Sequence, residues 1–383
     1  MKRLILPLLS GLFIFSSLLS CSHSKKTENS SVVIHVDLEK EDKVSSKDVF
    51  SSIRIIPLET DLTEAGISSF RYKLAVTDNA YYVLDQRSCK IICFDSEGKW
   101  LQTSDKRGRG KGEFLMSSDF RYDDTDSTLL VLDPRGIVYK YSLEDGLPFI
   151  SQTIFDADLR AAHSLLPVGG DEYLVFSNSD EHHIFTINTV LQECKAFRYD
   201  YPRWLFATPY SYTGSPFLSD SGSVYYYEGL DGSLYTVNTA ELSIDKILSW
   251  DFGKYQFDVN KLEPGKEVEQ YVQFWNDNSG RWATPVHIAL VSEKVVLATF
   301  FFGNSWRNLV YYRETNECKY FTKFEEGGRF DIGRQYDGRG YLLIPSEYLS
   351  QFVNEKMVSD TASIAAINNT RGTDAYVLIE YVL

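Results

Sequence analysis

Three stretches of the chain crowd aromatic side chains beside amide, carboxylate and guanidinium groups, the combination that grips a sugar ring by stacking on its face and hydrogen-bonding its edge. The first holds Tyr199, Tyr201, Trp204, Phe206, Tyr210 and Tyr212. The second places Trp275 and Trp282 on either side of Asn276-Asp277-Asn278-Ser279-Gly280-Arg281. The third runs Phe300-Phe301-Phe302-Gly303-Asn304-Ser305-Trp306-Arg307. Trp204, Trp275, Trp282 and Trp306, with Arg281 and Arg307, are therefore the candidate ligand contacts. The competing use of the same rings is packing between the layers of a β fold.

A second chemistry is written in Lys106-Arg107-Gly108-Arg109-Gly110-Lys111-Gly112, four positive charges among three glycines. Such loops hold phosphate or sulfate through backbone amides and side-chain charge, so Lys106, Arg107, Arg109 and Lys111 are candidate anion contacts. The run lacks the Gly-Lys-Ser/Thr ending of a P-loop, and glycines equally supply the positive φ of a tight turn, which is the preferred reading. Other chemistries are weaker still. His182 and His183 point to opposite faces of a strand and cannot share a metal, and His163 and His287 stand alone in the sequence. Asp123-Asp124-Thr125-Asp126-Ser127 lacks the spacing and distal Glu of a calcium loop and reads as turn chemistry. No Gly-x-Ser-x-Gly or His-Glu-x-x-His motif occurs, so no catalytic residue can be named and no metal or cofactor is expected.

The amino terminus carries a different signal. Lys2 and Arg3 precede the apolar run Leu4 to Phe15, and Leu18-Leu19-Ser20-Cys21 closes it. A charged then apolar layout of this length is an export leader, short of the roughly 20 apolar residues a membrane span needs. The small residue before the cysteine resembles a bacterial lipobox, which predicts a lipoprotein signal peptide over 1–20 and lipidation of Cys21. Several acyl chains on one residue suffice for stable anchoring. Residues 21–31, polar and small after the cysteine, form the flexible tether.

Removing residues 1–20 takes away Lys2 and Arg3, leaving 37 basic residues against 53 acidic, a net charge of −16. That balance argues against nucleic acid or a bare anionic lipid surface as partner. The 25 Tyr and 24 Phe fit a β-rich interior. Four cysteines remain, Cys89, Cys93, Cys194 and Cys318. On an extended strand Cys89 and Cys93 would lie about 13 Å apart, too far for a disulfide, so buried free thiols are expected.

The elements that must position these groups repeat along the chain. Tyr81-Tyr82-Val83-Leu84-Asp85, a polar turn and Ile91-Ile92-Cys93-Phe94-Asp95 form a strand, turn, strand phrase. It returns at Leu129 to Tyr141, Glu172 to Asn188, Ser223 to Asn238, Lys294 to Arg313 and, more faintly, Gly340 to Pro345. The starts Tyr81, Leu129, Tyr173 and Val224 lie 44 to 51 residues apart. A steady strand phrase with uneven spacing is what four-stranded propeller blades with variable loops produce. Val268, Tyr271, Val272 and Trp275 sit at helical spacing and predict a helix over 266–276. Leu349, Phe352, Val353 and Met357 predict a second short helix within the last blade. An open ring would leave an unpaired edge, so Val32 to Leu38 or Ile53 to Leu58 is expected to pair into the sheet made by Gly340 to Pro345 and Tyr376 to Val382.

Ile56-Pro57-Leu58-Glu59-Thr60, Val83-Leu84-Asp85, Phe94-Asp95-Ser96-Glu97-Gly98-Lys99 and Gly108-Arg109-Gly110-Lys111-Gly112-Glu113-Phe114 together resemble the six-bladed β-propeller lipoproteins common in Bacteroidota, relatives of the NHL-repeat propellers. The resemblance covers about residues 50–383, with a lysine in the Gly-Lys-Gly-Glu-Phe turn where that family often has proline. It implies an all-β, six-bladed propeller over 32–383 with two short helical insertions. It also implies a family often found near glycan-uptake systems, with no shared catalytic motif. The expected function is a lipid-anchored binding or interaction module for a saccharide, peptide or envelope protein. The alternatives are a hydrolase or lyase acting on a glycan or lactone through carboxylates or a metal at the central tunnel, and a structural subunit of an envelope complex. Ser22-His23-Ser24-Lys25-Lys26 carries no acidic residue after the lipid cysteine, which places the expected site at the outer membrane, facing the periplasm.

Overall fold

In the computed structural model, residues 31–383 are described except 62, 69–70, 156–158, 160, 178–181, 198–214, 228, 231, 259–262, 264–266, 279 and 337, and the side chains of 268 and 275. The leader, Cys21 and the tether up to 30 lie outside the described residues. Two strands precede the repeats, β1 (Val32–His35) and β2 (Ser52–Leu58). Blade one is β3 to β6 (Tyr72–Val76, Ala80–Asp85, Lys90–Asp95, Trp100–Asp105). Blade two is β7 to β10 (Asp119–Asp123, Thr128–Asp133, Ile137–Ser142, Phe149–Ile154). Blade three is β11 to β14 (Ala162–Gly169, Glu172–Ser177, Ile184–Asn188, Glu193–Ala196). Blade four is β15 to β18 (Phe217–Asp220, Ser223–Tyr227, Leu234–Asn238, Ser243–Asp251). Blade five is β19 to β22 (Val286–Val291, Val295–Phe302, Ser305–Tyr312, Glu317–Phe321), and blade six opens with β23 to β25 (Arg334–Tyr336, Arg339–Pro345, Tyr376–Val382). The chain is thus the six-bladed antiparallel propeller that the repeats predict.

The repeated phrase has a local cause. Its second strands are continuous apolar runs because blades pack on both of their faces; every residue of β4 and β8 is buried. The aspartates that end β4 and β8 make the turn to the next strand. Asp85 Oδ1 accepts the amides of Arg87 and Ser88 at 2.9 and 3.3 Å, and Asp133 accepts the Arg135 backbone amide at 2.8 Å and its guanidinium at 2.6 Å.

The ring closes through β2. It pairs antiparallel with β25 from Ser52 opposite Val382 to Leu58 opposite Tyr376, supplying the outermost strand of blade six. Glu380 on β25 is buried and is held by Arg54 of β2 and Arg339 of β24, each at 2.8 Å, with the Tyr341 hydroxyl at 3.0 Å. At the seam Gly98 has φ +83°, and a Cβ there would stand 2.1 Å from the Pro57 carbonyl oxygen, so only glycine fits between blade one and the closing strand.

Of the two N-terminal segments, Ile53 to Leu58 closes the ring and Val32 to Leu38 does something else. β1 runs parallel to β18, with Val32 opposite Leu248 and His35 opposite Asp251, as a fifth strand on blade four. From there the chain crosses the outside of blade five, where the Asp42 amide donates to Tyr320 O at 2.7 Å and the Tyr320 amide donates to the Asp42 carboxylate at 2.9 Å. Helix α1 (Ser46–Val49) then leads into Phe50, which packs on Tyr381 at 4.9 Å.

Helix α2 (Val268–Asn278) lies two residues later at its C-terminal end than its periodicity predicts. Leu349, Phe352, Val353 and Met357 are all buried, as their spacing requires, but the helix they predict is a single turn, α3 (Leu349–Phe352). Asn354 ends it: its Oδ1 accepts the Lys356 amide at 3.0 Å while its Nδ2 donates to Glu326 O at 2.8 Å. A further helix, α4 (Thr361–Thr370), starts at Asp360, whose side chain accepts the Ser363 amide at 2.7 Å. Its Ser363 hydroxyl accepts the Ile55 amide at 2.9 Å and so covers the outer edge of β2. Its inward face of Ser363, Ala366, Ile367 and Thr370 is too weakly apolar to stand out in the sequence. Among the described residues no helix is long and apolar enough to cross a membrane.

Candidate functional site

The innermost strands of the blades, β3, β7, β11, β15, β19 and β23, line the axis and start at one end of it. A charged hub is built where they begin. Asp119, the first residue of β7, is 1 % exposed and accepts from Arg121 Nε at 3.2 Å, Arg334 Nη2 at 2.8 Å, the Ser164 hydroxyl at 3.1 Å and the Leu165 amide at 2.9 Å. Arg334 of β23 also donates to the carbonyls of Leu74 and Phe120 at 3.1 and 3.2 Å. Gln335 bonds Ser219 O and Val291 O at 2.8 Å each and accepts the Val291 amide at 3.0 Å. These two neighbouring residues of β23 therefore reach the inner strands of all five other blades directly or through Asp119.

Burial by itself would raise the Asp119 carboxyl, but Arg334, then Arg121 and Lys73, hold it far below the usual carboxylate range. Burial and the neighbouring Arg334 push Arg121 down to about 10, against the pull of Asp119, so it stays charged at neutral pH. Burial pushes the Lys73 ammonium down; Asp119 opposes this, and Arg334 and Arg121 add to it.

Beside the hub a cavity of about 330 Å³ opens at the same end of the axis, within the size range of small-molecule sites. Arg121, Tyr227, His287, Trp306 and Asn308 are in its wall, with Arg329 and Asp331 supplying charges of both signs. His287, on β19, is 9 % exposed, and both its ring nitrogens lack a hydrogen-bond partner among the described residues. Burial lowers it to about 4, so the imidazole is neutral at pH 7. Trp306, on β21, lies 5.5 Å from the His287 ring at 39° and is 36 % exposed.

Of the candidate aromatics, Trp306 alone is placed in the cavity wall among the described residues. Trp204 lies outside the described residues, and Trp275 is on α2 with its side chain undescribed. Trp282 is consumed by packing, stacked on Phe274 at 5.7 Å and set against Phe257 at 5.4 Å. Arg281 is exposed and donates to Asn278 at 3.2 Å. Arg307 follows Trp306 on the strand, so alternation turns it the other way, onto the Thr322 hydroxyl.

The basic run forms the turn its glycines predict. Glu113 supplies the anion from within: its Oε2 accepts the Gly110 amide at 2.8 Å. Gly112 has φ +73°, and a Cβ there would meet the Phe149 ring at 2.6 Å. Lys106 is bound to the carbonyls of Leu147 and Gly146 at 2.7 and 3.3 Å, Arg107 reaches Arg87 O at 3.4 Å, and Lys111 lies 5.6 Å over Phe149. Arg109 is exposed on the same turn. Cys89, Cys93, Cys194 and Cys318 are free thiols. Cys89 sits in a turn at φ +58° rather than on a strand, and burial pushes Cys93 up to about 11, a range in which a thiol is inert. No group of three or more metal-ligating side chains occurs among the described residues.

Sequence reasoning missed the hub and His287. Nothing in Gly333-Arg334-Gln335 marks it as special. The usable signal was positional: Asp119 and Arg121 fall just before an interior strand of a recognised repeat, where a surface charge has no place.

A family model for a domain of unknown function, DUF4934, matches residues 31–374. The chain belongs to the DUF4934 family. No curated protein matches it. The DUF4934 chain is similar in structure to a Bacteroides fragilis protein described as exported, 14 % identical, over 92 % of this chain and all of that one, with a TM-score of 0.67. It is also similar to a member of the DUF4221 family from Bacteroides vulgatus, 12 % identical, over 87 % of this chain and 98 % of that one, with a TM-score of 0.49. The first of these shares the DUF4934 propeller fold.

Proposed function

We propose that this DUF4934 propeller is a ligand-binding module of the cell envelope, held at the outer membrane by lipid on Cys21, with its ligand in the cavity beside the axial hub. The observation that carries the reading is His287. A buried imidazole with neither nitrogen paired among the described residues costs stability, and such a group suits a place where a ligand completes it. The exposed Trp306 face next to it offers a stacking surface. The leader sequence and the exported protein of the same fold support the envelope location, and the resemblance to NHL-related lipoproteins found beside glycan-uptake systems makes saccharides the first class to screen.

The test is thermal unfolding of residues 31–383, one compact unit, against saccharide and peptide panels. A ligand at 100 times its Kd adds about 2.7 kcal/mol and raises the midpoint. His287→Phe is expected to stabilise the unliganded protein by about 1 kcal/mol, because it removes two unpaired buried nitrogens, and to abolish the ligand shift. A ligand whose shift survives both His287→Phe and Trp306→Ala overturns the reading.

A further inference from the structure

We propose that the ligand is an acidic saccharide whose carboxylate or sulfate is held at Arg121 while its ring stacks on Trp306; this rests on the cavity being the ligand site. The chain carries 53 acidic against 39 basic residues, yet the hub gathers Lys73, Arg121 and Arg334 around the single carboxylate of Asp119. Arg334 is spent on Asp119 and two carbonyls. Arg121 is 7 % exposed, gives Nε to Asp119 and Nη2 to Ser215 at 2.7 Å, and has no acceptor for Nη1 among the described residues. Lys73, half-buried, makes no ion pair or hydrogen bond there among the described residues. Asp331 in the cavity wall does not cancel that excess, because burial raises its carboxyl against the pull of neighbouring Arg329, a cation of the same wall. Buried positive charge beyond its counter-charge is costly unless something supplies the anion. Arg121 lines the cavity, so a bound anion can do so there.

The rest of the wall fits a sugar. Neutral His287 brings one donor and one acceptor, the complement of a hydroxyl, and the partly exposed Trp306 brings an indole ring. A planar guanidinium with a free edge suits an oxyanion of either kind.

The experiment is calorimetric titration of residues 31–383 with glucuronate, galacturonate and galactose 6-sulfate, beside glucose, galactose, sodium acetate and sodium sulfate. At least one acidic sugar is expected to bind ten times or more tighter than its neutral parent and than either bare anion. The uronates against the sulfated sugar distinguish carboxylate from sulfate. Arg121→Gln is expected to remove that preference, and Lys73→Met, at a half-buried position with no hydrogen bond to break among the described residues, to weaken the acidic sugar several-fold while leaving the fold intact. Equal affinity for acidic and neutral sugars, silence from all the acidic sugars, or an acidic sugar indifferent to Lys73→Met and Arg121→Gln overturns the inference. A neutral ligand that depends on Trp306 and His287 would do so while leaving the cavity reading standing. Acidic-sugar binding that ignores Trp306→Ala and His287→Phe would overturn the cavity reading itself.

Discussion

Asp119→Ala is expected to cost about 3–5 kcal/mol, because it removes the counter-ion of two buried arginines at the centre of the ring. The Ser164 hydroxyl and the Leu165 amide lose their acceptor in the same step. Since Arg334 ties β23 to β3 and β7, the damage spreads across blades rather than within one. Urea unfolding of residues 31–383 measures it, and a loss under about 1 kcal/mol would show that water replaces the carboxylate and that the hub is solvated. The pH dependence follows from the sign of the shift. Asp119 ionises far below its value in the unfolded chain, near 3.9, so its contribution is complete above that pH and is lost progressively as pH falls below it. The stability difference between the native protein and Asp119→Asn should therefore be constant from pH 7 to 5 and shrink from pH 4 downward.

Removing the closing strand is expected to abolish cooperative folding altogether. β2 buries Ile53, Ile55, Ile56 and Leu58, each 3–4 % exposed. At about 1.5–3 kcal/mol for each side chain, that is roughly 6–12 kcal/mol, comparable with the whole stability of an ordinary domain. The loss of Arg54 from buried Glu380 and the opening of the β25 edge add to it. A protein starting at residue 59 should be protease-sensitive without a sigmoidal melt. One starting at residue 45 loses β1 and the passage over blade five but keeps β2, and should melt cooperatively at a lower temperature. A cooperative melt from the shorter protein would mean that the ring closes without β2.

Much of the fold was legible because it is local. Val83-Leu84-Asp85 and Val131-Leu132-Asp133 announce a buried strand and its turn within five residues, since the apolar run and the turn-making aspartate are adjacent in the chain. The parts that were misread or missed depend on distant partners. Val32 to Leu38 alternates as an edge strand does, but which edge it joins is decided by β18, more than 200 residues away. Met357 is buried as its spacing requires, yet the helix stops at Phe352 because Asn354 finds the carbonyl of Glu326.

The site divides along the same line. Residue types and spacing determined by themselves that the chain is a β ring of repeated hairpins and that its glycine-rich basic run is a turn; Trp306 stands on β21 rather than in a loop. Tertiary structure alone decided that Trp306 lines a cavity while Trp282 packs against Phe274 and Phe257. It also decided that Asp119, Arg121, Lys73 and Arg334 meet, though they are spread over more than 250 residues. The reason is geometric: hairpins are built from hydrogen bonds between neighbours in sequence, whereas a propeller's axis is the one place where the first strand of every blade converges, so charges written far apart become a single electrostatic centre only once the ring has closed.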